Sequence, residues 1–326
     1  MKLIIQIPCF NEEETLPLTL TDLPREMKGF DAVEWLVIDD GSEDGTAEIA
    51  KANGVDHVIR LPQNGGLARA FSKGLETALA LGADVIVNTD ADNQYQGKDI
   101  EKLVAPVVAG TAQITVGARP IRSIEEFSTI KKWLQQLGSS VVRSLSLTDV
   151  DDAPSGFRAF SREAAMKLNV FSRYTYTLET IIQAGREGLA IQSVPIGVNP
   201  ATRESRLVKS VAGYVQRSMI TLVRIFVVYR PMRFFMSLAG LSFFAGLILA
   251  VRYLYFAYIG EGSGHVQSVI LAALLLGSGL LLVVVALIAD LIAVNRKLLE
   301  KVDWRLSKLE DAFTKIDSKT ANDGGQ

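Results

Sequence analysis

A short apolar strand that runs into two carboxylates is the feature that most constrains this chain. Residues Val85 to Asn88 are predicted to form a buried strand, and Asp90 and Asp92 follow it directly. Ligands of open α/β sheets bind at the carboxyl ends of the strands, and two carboxylates one residue apart can converge on one hard cation such as Mg²⁺. A solvated acidic turn is the commoner explanation of an isolated Asp-x-Asp, so the interpretation depends on the rest of the chain.

The same order of strand, acid and helix recurs along the chain. Further apolar strands are predicted at Leu3–Ile7, Glu34–Ile38, Val58–Leu61, Gln113–Val116 and Ala190–Val194. Strands that alternate with helices predict an α/β fold with a mostly parallel sheet and helices on both faces. More acids follow the strand ends, at Glu12, Asp39 and Asp40. Gly65 and Gly66 open a helix, where their amides either face a diphosphate or belong to a packing turn.

Two apolar runs separate a soluble part of the chain from a membrane part. Residues 234–259 and 266–294 each exceed the ~20 residues that cross a bilayer. The formal net charge of -2 gives no sign of a nucleic-acid partner. Cys9 is the only cysteine, which excludes an intramolecular disulfide and fits a reducing compartment. The N-terminus enters a strand directly, so no cleavable signal peptide is predicted.

The charges around the two apolar runs predict their orientation. Arg230 and Arg233 precede the first run, the connector at residues 260–265 has no Lys or Arg, and Arg296 follows the second run. The positive-inside rule therefore predicts an integral membrane protein with two spans whose N-terminal domain and both termini are cytoplasmic. Residues 209–233 are basic, with apolar residues at helical spacing, which predicts an amphipathic helix in contact with the lipid bilayer.

These patterns divide the chain into four predicted parts. They are an α/β domain at residues 1–208, an interfacial segment at 209–233, two transmembrane helices within 234–294, and a cytoplasmic helical tail at 295–326. Apolar residues repeat in the tail at heptad spacing: Leu299, Val302, Leu306, Leu309, Phe313 and Ile316. Either a contact in a homo-oligomer or packing against the chain's own domain explains this seam.

Five motifs, in one order along the chain, carry a family signature. They are Ile-Pro-Cys-Phe-Asn-Glu-Glu from Ile7, Val-Ile-Asp-Asp-Gly-Ser-Glu-Asp-Gly-Thr from Val37, Asp-Ala-Asp-Asn-Gln from Asp90, Gly-Ala-Arg from Gly117, and Ser-Gly-Phe-Arg from Ser155. On these motifs, residues 3–207 resemble the family-2 glycosyltransferases of GT-A fold. Within that family the chain is similar to the polyprenyl-phosphate sugar transferases related to dolichol-phosphate mannosyltransferase.

The resemblance implies a role for each motif. The residues implied to line the nucleotide are Pro8, Phe10 and Glu12, and those implied to hold its base and ribose are Ile38 and Asp40. The residues implied to contact the nucleotide sugar are Asp90, Ala91 and Asp92, and the implied ligands of Mg²⁺ or Mn²⁺ are Asp90, Asp92 and Gln94. Arg119 is implied to meet the phosphates. Asp152, or Asp151 if the alignment shifts by one residue, is implied to lie near the acceptor.

The chain departs from the relatives in one motif. Where they end Gly-Glu-Ser-Lys, this chain has Arg203, Glu204, Ser205 and Arg206, so the glycine is absent and arginine replaces lysine. Arginine still offers a bidentate fork to phosphate. We therefore expect Arg203 and Arg206 to bind phosphate, while the identities of the sugar and the base stay open.

The implied activity is an inverting, metal-dependent transfer of sugar. The donor is a GDP-sugar or UDP-sugar, and the acceptor is a membrane polyprenyl phosphate, dolichyl or undecaprenyl. Arg119, Arg203 and Arg206 offset the repulsion between the donor and acceptor phosphates, while Asp152 orients the acceptor. One alternative is a processive polysaccharide synthase, but the Gln-x-x-Arg-Trp motif of those enzymes is absent from the sequence. The other is a catalytically silent membrane scaffold, against which the intact Asp90 and Asp92 argue.

Overall fold

The chain forms two compact units. The computed structural model describes residues 1–120, 143, 148–170, 176–200, 220, 223–224 and 226–323. The first unit comprises Met1–Ser218 and Ser307–Gln326, and the second comprises Met219–Leu306. The sequence pattern placed its boundaries after residues 208, 233 and 294 instead, and that four-part division stays a prediction.

A seven-stranded sheet forms the centre of the first unit. Its strands are β1 Lys2–Cys9, β2 Ala32–Asp39, β3 His57–Arg60, β4 Val85–Asn88, β5 Ile114–Ala118, β6 Arg158–Ser161 and β7 Ile191–Pro195. Their order is β3-β2-β1-β4-β6-β5-β7. Every neighbouring pair is parallel except the two pairs that β6 makes with β4 and β5. The predicted mostly parallel sheet is confirmed.

Helices cover both faces of this sheet. They are α1 Leu16–Asp22, α2 Thr46–Ala52, α3 Leu67–Ala80, α4 Ile100–Val108, α5 Arg162–Lys167 and α6 Thr177–Arg186. Every residue of β1 after Lys2 is buried. Alternate side chains of a strand point to opposite faces of the sheet, and helices cover both faces. Ile5 lies in the apolar cluster that includes Leu16 of α1 and Ile100 of α4, whereas the Gln6 amide donates to the Phe71 carbonyl of α3.

Two local features differ from the sequence-based expectation. A run of acids is typical of the first turn of a helix, which predicts that a helix opens at residues 12–14, but α1 begins at Leu16 and the acids lie in the loop before it. Strand β6 is not among the strands predicted from the sequence. The strand has only four residues, and it pairs antiparallel with β4 and β5 while Arg158 is fully buried. A short segment with a buried charge carries too little apolar pattern to be identified as a strand.

The second unit contains two long apolar helices, the later of which continues beyond the end of the unit at Leu306. Helix α7 spans Pro231–Tyr258, a 3₁₀ turn spans Gly262–His265, and helix α8 spans Val266–Asp323. The stretches Pro231–Tyr258 and Gly262–Arg296 are long and apolar enough to cross a membrane, and only 11% and 17% of their most apolar windows are buried. Core helices of a soluble protein would be mostly buried, so this exposure fits the two predicted spans.

Small residues bring these two helices close together. A Cβ atom added to Gly246 would lie 3.0 Å from Leu276 Cγ, and one added to Gly279 would lie 3.0 Å from the Phe243 ring. The Ser242 hydroxyl donates to the Leu275 carbonyl at 2.7 Å. Close approach at small residues and shared hydroxyl hydrogen bonds are what holds helices together in lipid, where the hydrophobic effect between helices is lost.

The predicted heptad seam continues from the second apolar stretch. Leu299, Val302, Leu306 and Leu309 are between 54% and 69% exposed, and the side chains of Phe313 and Ile316 lie outside the described part of the chain. The choice between an oligomer contact and packing on the chain's own domain stays open. Most of the predicted interfacial segment at residues 209–233 also lies outside the described residues.

Candidate active site

The sequence motifs meet at one edge of the sheet. Cys9 at the end of β1 pairs with Asp39 at the end of β2. On the other side of β1, Asn88 at the end of β4 pairs with Arg158 at the start of the antiparallel β6. The loops that follow β1, β2, β4 and β5 therefore emerge beside the loop that precedes β6. This edge is where ligands of open α/β sheets bind.

Asp90 lies at this edge, and its surroundings disfavour its ionised form. It is half-buried, and burial together with the charge of Asp92 raises the pKa of Asp90 to about 7, against the opposing effect of Arg119. Glu12 adds to the same rise in the pKa of Asp90. A divalent cation would relieve this repulsion, so the two neighbouring carboxylates fit a metal site.

The turn after Asp90 supports this assignment. Asp92 Oδ1 accepts a hydrogen bond from the Gln94 backbone N–H at 3.1 Å, and Asn93 between them has the left-handed φ of 55°. Within the described residues, no group of three or more His, Cys, Asp or Glu side chains could hold a metal. The protein thus offers two carboxylates, which is the usual contribution where substrate phosphates complete the coordination of Mg²⁺. Gln94, two residues after Asp92, is half-buried.

Gly156 of the Ser-Gly-Phe-Arg motif forms the wall behind Asp90. A Cβ atom at Gly156 would lie 2.9 Å from Asp90 Oδ1 and 2.9 Å from the Tyr176 hydroxyl oxygen. Its N–H donates to the Tyr95 hydroxyl at 3.0 Å, and its carbonyl accepts from the Asn88 amide at 2.8 Å. Glycine is needed here because any larger side chain would displace the carboxylate.

A buried polar chain supports that wall. Asn88 Oδ1 accepts from the Gln6 amide at 2.8 Å, and Asn88 Nδ2 also donates to the Tyr176 hydroxyl at 2.8 Å. The Tyr176 ring stacks on Phe71 with 3.8 Å between centroids. Sequence reasoning missed Asn88, Gly156 and Tyr176 as site residues, and the Ser-Gly-Phe-Arg motif was the signal that could have identified Gly156.

Arg119 and Asp152 form a bidentate ion pair. Arg119 Nε donates to Asp152 Oδ2 at 2.7 Å and Nη2 donates to Oδ1 at 3.1 Å, while the Arg119 backbone N–H donates to Oδ2 at 3.3 Å. The two side chains are only 11% and 1% exposed. The resemblance gave these residues separate roles at the donor and the acceptor. In the structure they act on each other.

Arg158 holds the loop that carries Asp152. Its guanidinium donates to the carbonyls of Ser155 and Ala153 at 2.8 and 2.7 Å, and to the Thr180 hydroxyl at 2.6 Å. Burial lowers the pKa of Arg158 to about 10, so the side chain stays charged at neutral pH. Its contacts are with the protein, which makes it a structural residue of the motif.

The residues predicted to contact the nucleotide lie at the ends of β1 and β2. Pro8 and Ile38 are neighbours in the β1–β2 ladder; both are buried, and Ile38 has no exposed surface. Phe10 is 39% exposed. The Glu12 N–H donates to the Thr46 hydroxyl at 2.8 Å, which ties the two loops together. Ala91, in the Asp-Ala-Asp turn, is buried.

Asp40 accepts hydrogen bonds from the backbone, and its predicted contact with the base and ribose stays a prediction. Its two carboxylate oxygens accept from the N–H groups of Gly65 and Gly66 at 2.9 and 2.7 Å. Of the two explanations for this glycine pair, the contact favours the packing turn, because the amides that would face a diphosphate donate to Asp40.

Of the last three predicted positions, the structure describes only Asp151. Asp151 is exposed, and its backbone N–H donates to the Ser193 hydroxyl at 3.1 Å. Arg203 and Arg206 lie outside the described residues, so their contacts with phosphate stay predictions.

Comparison with known proteins defines the class. Residues 4–168 match glycosyl transferase family 2, and the chain therefore belongs to this family and is a glycosyltransferase. An uncharacterized protein of Methanocaldococcus jannaschii is 36% identical over 201 residues, which cover 60% of this chain and 80% of the relative.

Two relatives with named activities belong to the class of transferases that the sequence resembles. The undecaprenyl-phosphate mannosyltransferase of Micrococcus luteus is 29% identical over 234 residues, covering 69% of this chain and 93% of the relative. The UDP-N-acetylglucosamine–dolichyl-phosphate N-acetylglucosaminyltransferase of Methanococcus voltae is 32% identical over 212 residues, covering 58% and 82%. The predicted similarity to polyprenyl-phosphate sugar transferases is confirmed.

Solved structures confirm the fold. Glucosyl-3-phosphoglycerate synthase from Mycobacterium tuberculosis, in complex with Mn²⁺, UDP and glucosyl-3-phosphoglycerate, has a TM-score of 0.52 at 23% identity, covering 68% of this chain and 78% of that one. The same enzyme with phosphoglyceric acid gives a TM-score of 0.55. The predicted GT-A fold is confirmed.

Proposed function

We propose that this protein transfers a sugar from a nucleotide diphosphate sugar to a polyprenyl phosphate, with inversion at the anomeric carbon. The observation that carries the proposal is the Asp90 and Asp92 pair at the strand ends, with the pKa of Asp90 raised to about 7 by burial and by Asp92. The relatives named for undecaprenyl phosphate and dolichyl phosphate support the acceptor class.

One bond forms as another breaks. An oxygen of the acceptor phosphate attacks the anomeric carbon from the face opposite the diphosphate. The bond between that carbon and the diphosphate oxygen breaks, and the leaving nucleotide diphosphate keeps the electron pair. Because the acceptor phosphate is already an anion near neutral pH, the step needs no general base.

Asp90 and Asp92 would hold Mg²⁺ or Mn²⁺, with Gln94 as a candidate third ligand. A bound divalent cation would neutralise the charge that builds on the leaving diphosphate. The Mn²⁺ and UDP bound by the structural neighbour support this expectation. Glu12 lies close enough to Asp90 to raise its pKa, so we assign it a place at the edge of the donor site.

Arg119 would counter the repulsion between the donor and acceptor phosphates. A guanidinium has five N–H donors, and the side chain of Asp152 engages Nε and one N–H of Nη2. The remaining donors suit a phosphate. We therefore assign Asp152 the role of orienting Arg119, and Arg203 and Arg206 the role of further phosphate contacts.

The two apolar helices would hold the protein in the membrane that contains its acceptor. Confining enzyme and lipid to one surface raises their effective concentration without any new contact. The charge distribution favours a cytoplasmic catalytic domain and cytoplasmic termini.

A transfer assay tests the proposal. Membranes from cells that express the protein are offered radiolabelled GDP-sugars and UDP-sugars with Mg²⁺ or Mn²⁺, and label is counted in extractable lipid. We expect one donor to label a lipid-linked monosaccharide, and chelation by EDTA to abolish the signal. Membranes that contain the Asp92→Asn variant at equal abundance are the matched control.

Other outcomes would replace the proposal. Label in a long polymer would identify a processive synthase. If no donor labels lipid or polymer while the protein still binds a nucleotide, the protein would be a silent scaffold. Labelling that persists in EDTA would remove the metal from the mechanism.

A further inference from the structure

We propose that Asn199 is a positioning residue for the turn that contains Asp90 and Asp92. The inference rests on the proposed function, because it concerns the cation which that function requires. Asn199 lies in the segment after β7, outside every motif found in the sequence.

Two hydrogen bonds join Asn199 to consecutive carbonyls of the turn. Its backbone N–H donates to the Gln94 carbonyl at 2.9 Å, and its side-chain Nδ2 donates to the Asn93 carbonyl at 3.0 Å. On the other side of the same turn, the Gln94 N–H donates to Asp92 Oδ1 at 3.1 Å. The turn is thus held between the Asp92 carboxylate and Asn199.

The segment that carries Asn199 is itself fastened to the same loop. Val198 forms a β-bridge with Tyr95 and accepts from the Gln96 amide at 3.3 Å. The Gly197 N–H donates to Asp99 Oδ2 at 2.6 Å. In the sheet, β6 and β5 lie between β4 and the edge strand β7. This segment therefore connects the turn that contains Asp90 and Asp92 to β7.

The side chain of Asn199 has a task that its backbone does not perform. Asn93 has a φ of 55°, a left-handed conformation that asparagine tolerates better than most residues but that still needs support. Loss of Nδ2 would remove the donor to the Asn93 carbonyl. The peptide between Asn93 and Gln94 could then rotate, and the N–H that orients the Asp92 carboxylate would turn with it.

The expected consequence is a weaker cation site in an intact fold. Groups that orient metal ligands from outside the coordination sphere change metal affinity by about 10- to 100-fold when they are replaced. We expect the lower end of that range for Asn199, because its backbone hydrogen bond to Gln94 survives substitution.

Binding of Mn²⁺ to the purified full-length protein in detergent tests the inference. Electron paramagnetic resonance measures free Mn²⁺ during titration, without any sugar nucleotide. Asn199→Ala and Asn199→Asp should both weaken binding by about tenfold. The aspartate variant keeps the shape and adds a negative charge that alone would strengthen binding, so weakening in both variants identifies the lost hydrogen bond.

Asn53→Ala is the matched control. Asn53 Nδ2 donates to the Ile49 carbonyl at 2.8 Å at the end of α2, so this variant loses a similar hydrogen bond away from the turn and should bind Mn²⁺ like the wild type. Binding by Asn199→Ala or Asn199→Asp that is as tight as the wild type overturns the inference, whether or not the melting temperature falls. Failure of the wild type itself to bind Mn²⁺, both alone and with a nucleoside diphosphate, would overturn the metal in the proposed function instead.

Discussion

The loops after β2 and β4 show how differently one residue type can be used at one edge of a sheet. Asp40 follows β2, is buried, and accepts backbone hydrogen bonds from Gly65 and Gly66 on its two oxygens. Asp90 follows β4, is pressed against Gly156 and has a pKa raised to about 7 by burial and by Asp92. Asp40 thus supports the turn at Gly65 and Gly66, whereas a cation bound beside Asp90 would favour its ionised form.

The contrast comes from groups that are distant in sequence. The amides that satisfy Asp40 are 25 and 26 residues further along the chain, and the glycine against Asp90 is in another motif. Substitutions at these loops should therefore separate into those that damage the cation site and those that damage the fold.

The largest effect is expected from Asp92→Ala. Removal of one of two carboxylates should lower transfer by at least about 100-fold, because replacement of groups that merely orient metal ligands already costs up to that much. The melting temperature should change little, since the site is a half-buried turn and the variant relieves repulsion with Asp90. Transfer rates are measured with Mg²⁺ and with Mn²⁺, alongside thermal unfolding.

An equally active Asp92→Ala protein would contradict the assignment of the metal site. A large fall in its melting temperature would make Asp92 a structural residue like Asp40 and remove the contrast between the two loops.

Gly156→Ala should have the next largest effect. The added methyl would lie 2.9 Å from Asp90 Oδ1 and 3.0 Å from Oδ2, so the carboxylate must shift from its position in the wild type. Because displacement changes the position of one predicted ligand, we expect Mn²⁺ affinity and transfer to fall by about tenfold or more. Gly277→Ala, where nothing lies within 4 Å of the added atom, is the control for a harmless glycine substitution. Unchanged Mn²⁺ affinity in Gly156→Ala would show that Asp90 tolerates displacement.

Cation binding should also depend on pH near neutrality. Because the pKa of Asp90 is raised to about 7 by burial and by Asp92, protons compete with the metal below that pH. A single group with this pKa is about tenfold less ionised at pH 6 than at pH 8, so Mn²⁺ affinity should fall by about that factor. Titrations monitored by electron paramagnetic resonance measure the change.

The same shift in pKa has a consequence for stability without metal. The folded pKa of Asp90 lies above its ordinary value, so the folded state binds more protons and stability declines as pH rises from about 4 to 7. Mn²⁺ should restore the stability lost at the upper end of that range. An affinity that is constant between pH 6 and pH 8 would contradict the raised pKa.

Sequence patterns predicted the parts of this molecule that depend on local information. The strands around Ile5 and Val87 were identified because they are buried on both faces and continuously apolar, and the two long helices because their apolar runs exceed a bilayer's thickness. The Asp90 and Asp92 pair was found because both residues lie on one turn.

What escaped the sequence depends on contacts between distant segments. Strand β6 takes its place from pairing with β4 and β5 rather than from its own four residues. Arg119 and Asp152 are 33 residues apart, and nothing local to either residue predicts their ion pair. Asn199 donates to the turn that contains Asp90 and Asp92 from more than 100 residues further along the chain, and no sequence motif includes Asn199.

The smallest effect on catalysis, and the sharpest test of the comparison, is expected from Asp40→Asn. The amide can accept with its oxygen but presents an NH₂ group where the second oxygen stood, so one of the two glycine N–H groups loses its acceptor. An unsatisfied buried donor costs about 1–3 kcal/mol, which chemical denaturation of the detergent-solubilised protein should measure as a loss of stability. Mn²⁺ affinity should stay near that of the wild type, because Asp40 is held by backbone amides and not by the cation.

Asp92→Asn is the counterpart, with the same chemical change and the opposite expectation: little loss of stability and a large loss of affinity. If both variants lose affinity and keep stability, Asp40 contributes to the cation site and the loop after β2 has been misinterpreted. If both lose stability alone, the loop after β4 is structural as well, and the metal must be held elsewhere.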